Sequence, residues 1–247
     1  MKKMFNKNFI NLIIGELKRA IRYKVLTIGL LVSLLWLIII FFVRDNLNEV
    51  SMLIPLFIFT DAAVMSVMLI GASIYFEKQE GSIKSVLVSP VGVWQILIAK
   101  LINSVAISLI SALIVGLGAI FMTDIKINIP LLLMYVAITV VAHSAIGFAL
   151  SMTSKDFNAM LVNFMLFMVI FVIPPILIIL NVIPSEYEIY SLISPSQAAN
   201  TLLNSAVQDN SYKWYEISIS IVYLLTITVA LMKFFVQKRF QKDAMRG

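Results

Sequence analysis

An uninterrupted apolar stretch, VLTIGLLVSLLWLIIIFFV, extends from Val25 to Val43 without one charged side chain. A helix needs about 20 apolar residues to cross a hydrocarbon core that is roughly 30 Å thick. The stretch has that length and that composition. It therefore predicts a transmembrane helix, and it indicates that a lipid bilayer surrounds the chain.

Five further segments of the 247-residue chain satisfy the same criterion. They are residues 53–74, 96–121, 129–152, 159–180 and 217–236. The composition agrees, because 61% of the residues are hydrophobic and 13% are charged, whereas soluble domains are roughly 45–50% apolar and about 25% charged. We predict an all-α integral membrane protein with six transmembrane helices.

Residues 1–24 precede these spans and have a different pattern. They lack the compact apolar run and the small-residue cleavage site of a secretory signal. Most of their apolar side chains fall on one helical stripe, namely Phe5, Phe9, Leu12, Ile13, Leu17, Ala20 and Ile21. We predict an amphipathic helix that lies in the membrane interface. The predicted organisation is this helix over residues 1–24, a six-helix transmembrane domain over 25–236 and a basic tail over 237–247.

The basic residues are distributed unevenly between the two ends of the spans. If both termini face the cytoplasm, all but three of the 19 Lys and Arg residues lie on the cytoplasmic side, the exceptions being Arg44, Lys126 and Lys213. Cytoplasmic loops of membrane proteins carry an excess of such residues. We therefore predict cytoplasmic N- and C-termini. The basic residues do not share a face with aromatic residues, so no nucleic-acid partner is expected.

The connection between the fifth and sixth spans is longer than a turn. It contains the sequence SPSQ from Ser194 to Gln197, in which the serine can cap a helix and Pro195 suits its first position. We expect a short outer helix that dips into the interface or packs on the bundle. Near the end of the fifth span, Pro174 and Pro175 lack backbone donors and predict a kinked or unwound segment.

The connection between the second and third spans carries the most distinctive residues. From Tyr75 it reads YFEKQEGSIKSVLVSP and reaches Pro90. Ser82 can start a short helix here, and Pro90 ends it. We predict a short amphipathic helix parallel to the inner membrane surface. It belongs to a segment over residues 75–95 that is suited to receive force from a cytoplasmic partner.

This segment resembles the signature of the ABC-2 family of ABC-transporter permeases, in which Glu, Gly, Leu and Pro precede a Lys at the start of the third span. Ser82 stands where Thr is usual, Lys84 where an acidic residue is common, and Ala99 where Gly often precedes the Lys. The resemblance implies that the segment contacts an ATPase and transmits its closure to the membrane helices. The residues to which it assigns this coupling are Glu77, Glu80, Gly81, Ser82, Leu87, Ser89, Pro90 and Lys100.

The resemblance also implies a set of partners. It identifies the chain as the permease subunit of an exporter in the bacterial cytoplasmic membrane, with two separate ATPase subunits and a second permease copy, identical or different. ATP and Mg are expected on the ATPase, so this chain is expected to bind no cofactor and to be no enzyme. One independent observation agrees, because the sequence contains no Gly-x-x-x-x-Gly-Lys-Ser/Thr phosphate loop.

The cargo implied by the resemblance is amphipathic or hydrophobic, such as a drug, an antimicrobial peptide or a lipid-linked molecule. Export of a glycan or a teichoic-acid-type polymer is the alternative. A self-contained channel or secondary carrier would have an internal repeat or paired broken helices, and neither is evident. An intramembrane enzyme or a metal site is disfavoured, because the chain has one His and no Cys to build a converging catalytic set.

Two polar residues lie well inside predicted spans. Asp61 lies about 12 Å from the predicted outer end of the second span, at about 1.5 Å per residue. An ionisable side chain at that depth requires a polar partner or an aqueous cavity. Two roles remain open for it, contact with a polar part of the cargo and a hydrogen bond within the bundle. His143, in the fourth span, is expected to form an interhelical hydrogen bond, with cargo contact as the alternative.

Overall fold

The computed structural model describes residues 7–80, 92–180, 182–184, 193–207 and 212–239. These residues form helices joined by short connections, without a strand among them. Six of the described helices are long and apolar enough to cross a membrane. The prediction of an all-α integral membrane protein with six spans is confirmed.

We number the helices α1 to α8 along the chain and call the end of the bundle that carries α1 the inner end. The uninterrupted helices are α1 (Lys7–Arg22), α2 (Val25–Val43), α4 (Val93–Met122), α5 (Ile129–Thr153) and α7 (Pro195–Val207). The other three contain a wider π-helical turn. They are α3 (Leu47–Phe59, π turn Thr60–Met65, Ser66–Gln79), α6 (Phe157–Phe167, π turn Met168–Val172, Ile173–Ile179) and α8 (Trp214–Ala230, π turn Leu231–Val236). The six spans are α2, α3, α4, α5, α6 and α8.

Polar caps extend some spans beyond their apolar cores. Asn46 precedes α3, and its side-chain oxygen accepts a hydrogen bond from the backbone N–H of Glu49 at 3.4 Å. Asp156 caps α6 in the same way through the N–H of Ala159 at 2.8 Å. Such caps satisfy donors that the first helical turn leaves unpaired. The second span therefore begins at Leu47, before the predicted start at position 53.

The N-terminal helix α1 packs against α2 and α4. The face toward the bundle includes the buried residues Phe9, Glu16 and Ala20. A second face is apolar and exposed, and its members are Ile10, Ile14, Leu17 and Ile21. An exposed apolar face of this kind suits contact with lipid. The placement of α1 in the membrane interface stays a prediction.

Helix α5 lies at the centre of the bundle and contacts α3, α4, α7 and α8. It crosses α3 closely at Gly147. A Cβ atom added to Gly147 would lie 2.6 Å from the carbonyl oxygen of Val67, and one added to Gly71 would lie 3.5 Å from the carbonyl oxygen of Gly147. Small residues let helix backbones approach in a membrane. The two glycines therefore set the spacing between the second and fourth spans.

Helix α6 departs from α-helical geometry just before its proline pair. The helix widens into the π turn Met168–Val172 and then continues as Ile173–Ile179. Pro175 has no N–H to donate to the carbonyl oxygen of Phe171, four residues earlier. That oxygen accepts a hydrogen bond from the hydroxyl of Ser194. The backbone acceptor released by the proline thus connects α6 to the start of α7.

Helix α7 is inserted into the outer half of the bundle. Its first turn adjoins α5, where Ser196 Oγ lies 3.5 Å from Nε2 of His143. In its last turn, the carbonyl oxygen of Ala206 accepts a hydrogen bond from the N–H of Asn128 at 3.0 Å. His143 lies about 20 Å along α5 from Ile129, at about 1.5 Å per residue. Thus α7 rises from mid-depth to the outer edge, packed within the bundle rather than dipping into the interface.

Candidate functional site

Charged side chains from three helices meet at the inner end of the bundle. Glu16 and Arg19 come from α1, Glu77 from the end of α3 and Lys100 from the beginning of α4. Ser73, one turn before Glu77, completes the group. We call these five residues the inner cluster. It lies where α1 meets α3 and α4, the two helices that precede and follow residues 81–91 of the signature segment.

Lys100 is the centre of the inner cluster. Its ammonium nitrogen lies 2.5 Å from Oε1 of Glu77, 3.0 Å from Oε2 of Glu16 and 3.3 Å from Oγ of Ser73. The guanidinium of Arg19 donates to the same Glu77 oxygen and lies 3.5 Å from Glu16. Each carboxylate therefore faces two cations. The three donors of the ammonium all have acceptors, as a buried lysine requires.

Among the described residues, the inner cluster contains two carboxylates and two cations, and three of these four side chains are largely withdrawn from solvent. Lys100 is only 2% exposed, and Glu16 and Glu77 are 8% and 9% exposed. Burying a charge is costly unless it is paired and hydrogen-bonded. Two carboxylates and two cations satisfy that condition together. Loss of one of them would leave a buried charge without its full set of partners.

The two glutamates that the signature groups together have different surroundings. Glu77 points into the inner cluster and is buried, whereas Glu80, in the turn after α3, is exposed. Glu77 thus connects helices, and Glu80 is accessible to another protein. The remaining coupling residues predicted from the sequence, Gly81, Ser82, Leu87, Ser89 and Pro90, lie outside the described residues.

Asp61 lies in the π turn of α3 and is 9% exposed. It accepts a hydrogen bond from Nε1 of Trp36 at 3.1 Å and another from the hydroxyl of Ser111. Ser111 in turn lies 2.7 Å from the hydroxyl of Ser33. The carboxylate thereby joins α2, α3 and α4. Of the two roles considered for Asp61, this geometry favours the hydrogen bond within the bundle. The earlier start of α3 also places it about 20 Å from Leu47, deeper than predicted.

His143 is fully buried on α5. Its Nδ1 lies 2.9 Å from the carbonyl oxygen of Thr139, which can only accept, so Nδ1 carries the proton in that contact. In the neutral ring, Nε2 is then the acceptor for the hydroxyl of Ser196, at 3.5 Å. Phe59 and Phe167 approach the ring edge-on. The contact with Ser196 connects α5 to α7, and the role of His143 stays a prediction.

The sequence did not identify the partners of these residues. Glu16 and Arg19 are at least 58 positions away from Glu77 and Lys100 in the chain, so no spacing pattern connects them. One signal was present, since Lys100 stands inside an apolar run and a charge there requires a counter-charge. That signal specifies a carboxylate partner without specifying Glu16.

The six-span fold and the comparison with known sequences together define a class of protein. The bundle has six candidate membrane spans and its sequence matches an export permease family, so the chain is an ABC-2-type exporter permease. Comparison with known sequences is more specific. The model of the Fluoroquinolones export permease protein family matches residues 8–245, and the chain belongs to this family.

Two curated relatives agree with the family assignment. They are the fluoroquinolones export permease proteins of two strains of Mycobacterium tuberculosis. Each is 24% identical to this chain over 218 residues, which cover 88% of this chain and 89% of the relative. The similarity therefore extends over nearly the whole bundle, and the family match spans the residues of the inner cluster.

Proposed function

We propose that this chain is the membrane-spanning subunit of an exporter that is driven by a separate ATPase and carries an amphipathic, drug-sized cargo of the fluoroquinolone kind. The observation that carries the proposal is the family match over residues 8–245. The names of the curated relatives specify fluoroquinolones as their cargo. For this chain the same cargo class is a proposal, and it is favoured over a glycan or teichoic-acid-type polymer.

The contacts at the inner end of the bundle support the proposed coupling to an ATPase. Glu80 is exposed at the start of the signature segment, so a cytoplasmic subunit can reach it. Behind it, Glu77 and Lys100 connect the ends of α3 and α4 through a contact of 2.5 Å. A displacement of residues 81–91 therefore acts on both spans together. The chain itself is a transport subunit in this proposal, and ATP and Mg bind to the partner.

The orientation and assembly follow from the same proposal. The termini face the cytoplasm of a bacterial cell, which places the inner cluster and Glu80 on the side where ATP is available. Two ATPase subunits dock there, one beneath each of two permease copies. The positive-inside distribution of Lys and Arg residues supports this orientation.

Co-purification and ATP hydrolysis test the proposal. The permease should co-purify with a phosphate-loop ATPase encoded beside it, and a fluoroquinolone should stimulate ATP hydrolysis by the complex. Glu80→Ala should remove the stimulation and leave the permease folded, whereas Asp124→Ala, an exposed carboxylate at the opposite end, should not. Absence of an ATPase from the purified material would overturn the proposal, and equal stimulation in Glu80→Ala would remove Glu80 from the coupling.

A further inference from the structure

We propose that Glu16 is a positioning residue for energy coupling. By binding Lys100, it fixes α1 to the helices on either side of the signature segment, so that all three move together when the ATPase acts. The inference rests on the proposed exporter function and adds α1 to its moving parts. Nothing in the signature itself points to α1.

The first observation is the way Lys100 is shared. Its ammonium contacts Glu77 of α3 at 2.5 Å and Glu16 of α1 at 3.0 Å. Glu77 precedes and Lys100 follows residues 81–91 in the chain, so their contact links α3 with α4. Glu16 adds a third helix to the same ammonium. A movement that displaces Lys100 is therefore transmitted directly to α1.

The second observation is the nature of the contact. Glu16 is 8% exposed and lies on the face of α1 that otherwise presents apolar residues such as Phe9 and Ala20 to the bundle. Apolar contacts are non-directional. A charge-assisted hydrogen bond in a site of low dielectric constant is stronger and fixes the relative position of its partners. The Glu16 carboxylate thus fixes the position of α1 along α4.

The third observation is that Glu16 can be altered without dismantling the base of α3 and α4. The Glu77–Lys100 contact and the Arg19–Glu77 contact do not involve it. Replacing Glu16 by Gln keeps the size and a hydrogen-bond acceptor but removes the charge. The substitution therefore weakens the hold of α4 on α1 while the direct link between the flanking spans persists. Coupling can therefore be measured in a variant in which Lys100 keeps Glu77 as a counter-charge.

The experiment uses the full permease assembled with its ATPase in lipid nanodiscs, with a fluoroquinolone as the cargo. For Glu16→Gln, cargo-stimulated hydrolysis should fall by about tenfold, within the range of couplings between distant sites. The half-saturating ATP concentration and the basal hydrolysis should not change, since the nucleotide site is on the partner. Glu16→Asp should restore part of the stimulation. Lys18→Gln, on the exposed side of α1, is the matched control and should have no effect.

The outcomes separate the two proposals. If the unsubstituted complex shows no cargo stimulation, the exporter function fails. If it is stimulated and Glu16→Gln is stimulated equally, the exporter function stands and the positioning role of Glu16 is overturned. Loss of basal hydrolysis and of complex assembly in Glu16→Gln, without rescue by Glu16→Asp, would also overturn it, because the residue would then serve only the fold.

Discussion

Asp61 illustrates how one carboxylate is accommodated inside a membrane span. The π turn of α3 carries it, and donors from two other helices, Trp36 and Ser111, satisfy it. Hydrogen bonds of this kind hold membrane helices together because lipid offers no alternative partner. These contacts favour a structural role for Asp61, as do the contacts of the two His143 nitrogens with α5 and α7.

A substitution at Asp61 distinguishes hydrogen bonding from a need for charge. Asp61→Asn keeps an acceptor for Trp36 and supplies a donor for Ser111, so the free energy of unfolding should change by less than about 1 kcal/mol. Asp61→Leu leaves the indole N–H of Trp36 without its acceptor and leaves Ser111 with Ser33 alone, and it should cost about 1–3 kcal/mol. Thermal unfolding of the purified permease in detergent measures both. A large loss of transport in a stable Asp61→Asn protein would instead indicate that the charge contacts cargo.

The junction of α6 and α7 shows how a proline pair can create a contact between elements. Pro175 deprives Phe171 of a backbone donor, and Ser194 supplies a hydroxyl in its place. The same hydroxyl oxygen accepts the N–H of Ser196 at 3.1 Å and so caps α7. Irregular backbone at membrane depth is tolerated only where protein groups satisfy it. One serine meets that requirement for both helices.

A double-mutant cycle tests this exchange of donors. Ser194→Ala should lower the free energy of unfolding by about 1–3 kcal/mol, because it leaves the Phe171 carbonyl and the Ser196 N–H unpaired. In a Pro175→Ala background the same change should cost less, since the introduced alanine can donate its backbone N–H to the Phe171 carbonyl. The four proteins are compared by thermal unfolding in detergent. An equal cost of Ser194→Ala in both backgrounds would show that the Ser194 hydroxyl does not replace the backbone N–H that Pro175 lacks.

The close approach of α3 and α5 at Gly147 can be tested by substitution. Gly147→Ala places a methyl group 2.6 Å from the Val67 carbonyl oxygen, so the helices must separate and the melting temperature should fall. Gly15→Ala is the matched control, because no atom lies within 4 Å of the added Cβ. It should be neutral or should stabilise α1 by about 0.5–1 kcal/mol. Equal effects of the two changes would mean that the crossing does not depend on close backbone approach.

At the level of the whole molecule, hydropathy predicts the transmembrane helices but does not predict the contacts between them. Six long apolar runs identify six helices, and the caps Asn46 and Asp156 accompany the two helices α3 and α6, which start earlier than their runs. The burial of α7 was not decided by its sequence, since an apolar stripe suits an interface as well as a bundle. The inner cluster was unpredictable for a related reason: Lys100 requires a carboxylate, but the sequence does not specify which helix supplies it.

The inner end of the bundle joins three helices through charged side chains. Glu77 and Lys100 join the two spans that flank the signature segment, and Glu16 connects α1 to them. Glu80 remains exposed beside them. In the proposed exporter, closure of the ATPase displaces α1, α3 and α4 together through these contacts.

Transport in a defined system is the most direct measurement. Proteoliposomes are prepared with the permease and its ATPase, the inner end facing outward, and the entry of a fluoroquinolone is followed by its fluorescence. We predict that the drug accumulates only when ATP is outside and both subunits are present, and that a non-hydrolysable ATP analogue does not sustain accumulation. Accumulation by the permease without the ATPase, or equal rates with and without ATP, would contradict an ATP-driven exporter.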